Sequence, residues 1–172
     1  MANDYLQFSE VLTHLTAEEE AWLQQQLTHI YVFGDKENTE EEMPENLNPD
    51  AADWSGLRLW RNVDDIDYPD DTGFQYEFDD GDKWDDWGRH LWLYAEEYGE
   101  PTAVAHLIQQ FLKRFRPDQC WGLTFARTCS RMRVGEFGGG AVFVTADAIR
   151  WNDTYGFVEE EERSFNTPHG KA

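Results

Sequence analysis

The apolar residues of this chain repeat with two different periods, and each change of period marks an element. Val104, Leu107, Ile108, Phe111, Leu112 and Phe115 recur at three- and four-residue steps, which places them on one face of a helix. Pro101 stands in its first turn, where a missing amide proton costs little, and Pro117 ends the run. An earlier helix is predicted from about Ala17 to Thr28. Thr16 and Glu19 form a capping box that satisfies the open amides of its first turn, and Trp22, Leu23, Leu27 and Ile30 follow at helical spacing. The run from Tyr155 to Phe165, which carries Glu159 to Glu162, reads as a terminal helix.

Elsewhere the period is two, or the apolar run is short. Phe74, Tyr76 and Phe78 alternate with Gln75 and Glu77, the pattern of a half-buried strand. Leu91 to Ala95 is a second strand, after a turn rich in Asp and Gly. Ile30 to Phe33, closed by Gly34-Asp35, is a short one. Cys120 to Arg127 and Ala141 to Ala146 are two more, joined through Gly135 and Gly138-Gly139-Gly140. The order strand, strand, helix, strand, strand predicts an α+β fold: an antiparallel sheet of four or five strands, with helices packed mainly on one face. Residues 1–172 read as a single domain. Within it, 35–72 have few apolar anchors, three prolines (Pro44, Pro49, Pro69) and many acids. They read as a long acidic surface excursion pinned by Trp54, Leu57, Leu59 and Trp60, and 166–172 as a flexible tail.

Composition decides that this acidic chain folds. Of 172 residues, 40% are hydrophobic and 15% aromatic, including eight Trp, so the material for a core is present. Two cysteines, Cys120 and Cys129, are too few for a disulfide framework and fit the reduced thiols of a cytoplasmic protein. Met1-Ala2-Asn3-Asp4 lacks the basic start of a signal peptide, and no apolar stretch approaches the roughly 20 residues of a membrane span.

Charge changes the picture most. There are 35 acids against 14 Lys and Arg, a net charge of −21. The imbalance is uneven: residues 35–100 hold 22 acids and five bases, whereas 101–158 hold four acids and seven bases. Such a surface repels nucleic acid and anionic lipid, so neither direct nucleic-acid nor membrane binding is expected. It suits a basic partner instead. Duplex DNA carries one charge per about 1.7 Å of axis, so the excess of residues 35–100 corresponds to about 30 Å of duplex.

Candidate chemistry is thin. Asp79-Asp80-Gly81-Asp82 misses the calcium-loop pattern, because a glycine at position 6 would put Tyr76 at 1 and Phe78 at 3. Asp64-Asp65-Ile66-Asp67 fails as well, with Asp70 in the glycine position. His14, His29, His90, His106 and His169 show no metal-binding spacing, and with no CxxC pair no metal or cofactor is called for. Arg127, Arg131 and Arg133 beside a glycine-rich connection could hold an anion, but Cys129 lacks the arginine six residues on that a phosphatase loop needs. Gly138-Gly139-Gly140 likewise lacks the Lys-Ser/Thr of a P-loop.

The expectation is therefore a non-enzymatic, acidic protein-binding module, in its most concrete form a nucleic-acid-mimicking inhibitor of a basic DNA- or RNA-handling protein. Phage and mobile elements encode proteins of that kind. The expected binding residues are Asp64, Asp65, Asp67, Asp70, Asp71, Asp79, Asp80, Asp82, Asp85 and Asp86, with Trp84 and Trp87 as apolar anchors among them. Two alternatives stand beside it. One is a small enzyme or ligand-binding domain that places an anionic substrate near Arg127, Arg131 and Arg133. The other is a structural subunit whose acidity serves solubility.

Overall fold

The computed structural model describes residues 3–33, 36–42, 54–61, 63, 68–81 and 86–166. The chain runs through β1 (Asp4–Leu12), α1 (Ala17–Gln26), β2 (His29–Phe33), β3 (Lys36–Thr39), β4 (Trp54–Leu57), β5 (Gln75–Asp79) and β6 (His90–Ala95). It continues through α2 (Pro101–Phe115), β7 (Cys120–Cys129), β8 (Gly138–Thr145), β9 (Ile149–Asp153) and α3 (Thr154–Asn166). Six strands form one sheet in the order β5-β6-β1-β7-β8-β9, with every neighbouring pair antiparallel. A second, three-stranded sheet has the order β3-β2-β4.

The α+β class is as expected, but the main sheet is larger than four or five strands. The two additional strands are β1 and β9, and each hides its alternation. In β1, Phe8 and Leu12 are buried and Gln7 and Ser9 exposed, yet Glu10-Val11 inverts the pattern between them. In β9, Ile149 is half-buried and the four residues after it are exposed, so little apolar signal remains. Residues 36–61 also differ from a plain excursion, because their described parts supply β3 and β4. Of the four expected anchors there, Leu57, Leu59 and Trp60 are buried, and the side chain of Trp54 lies outside the described residues. Residues 167–172, most of the expected tail, lie outside them too.

The core lies on one face of the large sheet. Directly opposed residues of antiparallel strands point to the same side, so Phe8, Leu91, Leu93, Leu123, Val142 and Val144 form one apolar layer. Helix α2 lies on it with Val104, Leu107, Ile108 and Phe111 all fully buried, the face that the spacing predicted. Its Phe111 and Phe115 carry Trp22 of α1, at ring separations of 6.3 and 5.7 Å. His106 sits half-buried with its ring edge-on to Trp60, and burial first, then Lys113, holds its pKa below the ordinary value. No described helix is long and apolar enough to cross a membrane.

One polar cluster ties this layer together. Glu19 completes the capping box of α1 by accepting the Thr16 amide at 2.7 Å, while Thr16 Oγ1 accepts the Glu19 amide at 3.2 Å. The same carboxylate receives Arg116 Nε at 2.6 Å and Nη2 at 3.0 Å. Arg116 also donates to the carbonyls of Thr13 and His14, and its guanidinium lies 5.1 Å from the Phe111 ring centre. One guanidinium thus joins the end of β1, the start of α1 and the end of α2.

Burial is the largest single influence on Glu19 and pushes its pKa up, but the bonds from Arg116 and Thr16 together outweigh it and leave the pKa lowered. A depressed acid contributes stability above its unfolded pKa and loses it as pH falls through the folded value. Glu19→Gln is therefore expected to cost about 3 kcal/mol at neutral pH, as for a broken buried pair. The difference from the native chain should be full at about pH 7 and smaller at an acid pH below the ordinary carboxylate range, where Glu19 takes up its proton. Urea unfolding at the two pH values measures this, and a gap that stays constant would show that the charge on Glu19 is not what holds the cluster.

Candidate functional site

Among the described residues, the other face of the large sheet carries no core. In the central strand β7, Gly122, Thr124 and Ala126 are exposed, which no covering helix would allow. Their neighbours across β8 are Phe143, Ala141 and Gly139, with Phe143 45% exposed. Small side chains in the middle make this face flat. Towards β6 it rises into aromatic rings: Trp92 and Tyr94 stack at 4.1 Å with an interplanar angle of 21°. Trp92 Nε1 donates to Ser9 Oγ at 2.9 Å, which orients the indole over β1.

The register brings acids to these rings. Glu77 lies opposite Trp92, and Gln75 opposite Tyr94. Beyond the end of β6 come Glu96 and Glu97, both exposed. They line an open cleft of about 780 Å³ together with Tyr5, Gln7, Trp92 and Tyr94. Gln7 Nε2 donates to the Glu96 carbonyl at 2.6 Å and so fixes that turn. Among the described residues no ion pair engages Glu77, Asp79, Glu96 or Glu97. A cleft of aromatic faces and free carboxylates suits a cation, through ring quadrupoles and direct charge together.

The expected binding residues are distributed as follows. Asp70 Oδ1 lies 2.7 Å from His29 Nε2, and Asp71 accepts the Gly73 amide. Asp79 ends β5 and accepts the Gly81 amide, and Asp80 pairs with Arg89 at 3.1 Å. Asp86 is exposed, and Trp87 is 45% exposed with its ring edge-on to His90. Asp64, Asp65, Asp67, Asp82, Trp84 and Asp85 lie outside the described residues. Glu37 meets two arginines: hydrogen bonding from Arg58, first among several effects and shared with Arg61, holds it below its ordinary range against some burial.

The three arginines point to separate tasks. Arg127 lies 5.9 Å from the Phe125 ring centre and lines a second cleft of about 430 Å³. Arg133 pairs with Glu136 at 3.2 Å, within its own loop, and Arg131 is exposed. Of the three, Arg127 alone lines that cleft. The two cysteines are free and stand on opposite faces of β7, Cys120 exposed and Cys129 buried. The Glu136 carboxylate beside Cys129 is the main cause that raises its thiol pKa, with burial and Asp4 adding to it against a backbone bond from Arg131. Glu136 is lowered in turn, by the thiol first and by Arg133 after burial is offset.

Sequence reading did not reach Trp92, Tyr94, Glu77, Glu96 or Glu97 as candidate binding residues. The signal was there in period two. Leu91, Leu93 and Ala95 claim the core side of the strand, which leaves two large aromatics on the other side. Comparison of the chain with protein families, with curated proteins and with solved structures returns no match.

The face assignment has a direct consequence. Leu93→Ala empties a fully buried position and is expected to cost about 3 kcal/mol. Trp92→Ala, one residue earlier, loses a surface stack and should cost only about 1 kcal/mol. Denaturant midpoints of the two variants decide it, since equal or reversed losses would turn the sheet over.

Proposed function

We propose that this protein is an acidic binding module that engages a basic protein surface through the open face of its six-stranded sheet. The observation that carries the reading is the cleft of Tyr5, Trp92 and Tyr94, bordered by Glu96 and Glu97 that no described cation neutralises. Partner lysines or arginines would lie against the rings and reach the carboxylates, with Glu77 and Asp79 extending the acidic edge along β5. Its most concrete form is a nucleic-acid-mimicking inhibitor that occupies the groove of a DNA- or RNA-handling protein.

Two features support this over a merely solubilising surface. Among the described ion pairs, Arg133 takes Glu136, and the partners of Glu37 and Asp80 are Arg58, Arg61 and Arg89 from their own segment. In addition, aromatic rings stand among the acids, and a solvated face has no use for them. The alternative of an anionic substrate held by Arg127, Arg131 and Arg133 gains no such support, because Arg133 is already paired and Arg131 does not line the cleft beside Arg127.

The test is affinity capture with the full chain at low and high salt, alongside a variant carrying Glu77→Gln, Glu96→Gln and Glu97→Gln. Captured partners should be basic, and raising the salt should release them. The triple variant should associate about tenfold more slowly, because charge steers encounter. Neutral partners, or capture that survives both high salt and the variant, would reject the reading.

A further inference from the structure

The end of the sheet farthest from the Trp92–Tyr94 stack along β1 brings together a sulfur and two carboxylates from three separate segments. Asp4, at the start of β1, lies directly opposite Cys129, the last residue of β7, so both side chains rise from one face. Glu136 comes back to them from the loop between β7 and β8. One ligand atom from each residue lies within 4.8 Å of the other two. In a tetrahedral zinc site with bonds of about 2.0–2.3 Å, neighbouring donors stand about 3.5 Å apart.

Two further observations separate this set from an ordinary acidic patch. Glu136 Oε2 is shut away from solvent and receives no N–H or O–H donor, while Oε1 of the same carboxylate takes Arg133 and the Cys129 thiol lies beside the group. A thiol is a weak donor, and a cation shared by the sulfur and the carboxylate would satisfy that oxygen more fully. The scaffold around the donors is also tied down. Asn3 and Ser130 exchange two bonds of 2.9 Å, Asn3 N to Ser130 Oγ and Ser130 N to Asn3 O, and lock the ends of β1 and β7 together. The Tyr155 hydroxyl lies against the carbonyls of Gly135 and Phe137, donates to one at a time, and so holds the loop on both sides of Glu136.

We propose that Asp4, Cys129 and Glu136 form a divalent-metal site of the zinc type, with its fourth position open to the 430 Å³ cleft that Asp4, Glu136, Arg127 and Tyr155 line. The sulfur binds as thiolate and releases its proton to solvent. A thiolate among the donors selects zinc over magnesium or calcium, which prefer oxygen alone. Three protein donors leave one position for water or a small anion, and Arg127 is on hand to favour the anion. Bound metal would also cross-link the ends of β1 and β7 to the loop. None of the three donors lines the partner cleft, although the two clefts share Tyr5 and Thr128, and the metal site stands whether or not the partner proposal does.

The test uses the full chain stripped with a chelator and titrated with Co²⁺, then with Zn²⁺, in excess Mg²⁺ to occupy the acidic surface. Expected are one equivalent of Co²⁺, the strong visible bands of four-coordinate cobalt, a thiolate-to-metal charge-transfer band in the near ultraviolet, and displacement of cobalt by Zn²⁺ with a rise in thermal midpoint. Cys129→Ser, which preserves shape, and Glu136→Gln should each weaken Zn²⁺ by more than about 100-fold, beyond the loss that an outer-shell partner causes. Cys120→Ser, on the opposite face of the strand, should change nothing. Circular dichroism of the metal-free variants checks that each is folded. Absence of the charge-transfer band, its survival in Cys129→Ser, or its loss in Cys120→Ser would overturn the site.

Discussion

The ion pair between Glu19 and Arg116 is the constraint from which the rest of the arrangement follows. Two helices must lie on one face of a six-stranded sheet, and α1 has little amphipathic character of its own, since Glu19 and Gln26 are among its buried residues. Arg116 supplies what hydrophobic spacing leaves out. It seats the first turn of α1 against the end of α2 and satisfies the carbonyls of Thr13 and His14 where the chain leaves β1. With the position of the helix layer decided there, the opposite face of the sheet is left to water.

That division explains how so acidic a chain folds. A net charge of −21 resists compaction, and the resistance is least where acids stay hydrated. The core is accordingly built from strands and helices low in charge, chiefly β6, β7, β8 and α2, while the described acids of the middle third lie on edges and turns. Those that do meet a base meet one nearby, as Glu37 meets Arg58 and Arg61. Of the described acids without an ion pair, Glu77 stands opposite Trp92, and Glu96 and Glu97 follow the end of β6 beside the stacked rings. Partner binding would then use the same free charge that solubility requires.

The thiol at the far end of the sheet follows another rule. Cys129 is the residue at which β7 leaves the core, so it is buried but lies next to loop residues that can carry charge. A sulfur in that position meets Asp4 through strand pairing and Glu136 through loop closure. Neither contact depends on the acidic segment, which is why the two proposed sites can be tested apart.

Local order was legible from the residues alone. The stripe on α2, the capping box of α1 and the presence of a strand at β5 arise within about fifteen residues of chain, where helix and strand periods act directly, although Tyr76 is exposed and β5 lacks the half-buried alternation that its residues suggest. The size of the sheet was not legible. Strand β1 sits at its centre because Phe8 pairs with Ala95 on one side and Phe125 on the other, contacts between residues some 90 to 120 positions apart. For the same reason the aromatic cleft and the Asp4–Cys129–Glu136 cluster went unread: each joins segments whose spacing in sequence carries no information about their spacing in space. Periodicity is a property of neighbours along the chain, whereas strand order, and with it every site described above, is decided by which hydrophobic faces meet when the chain closes on itself.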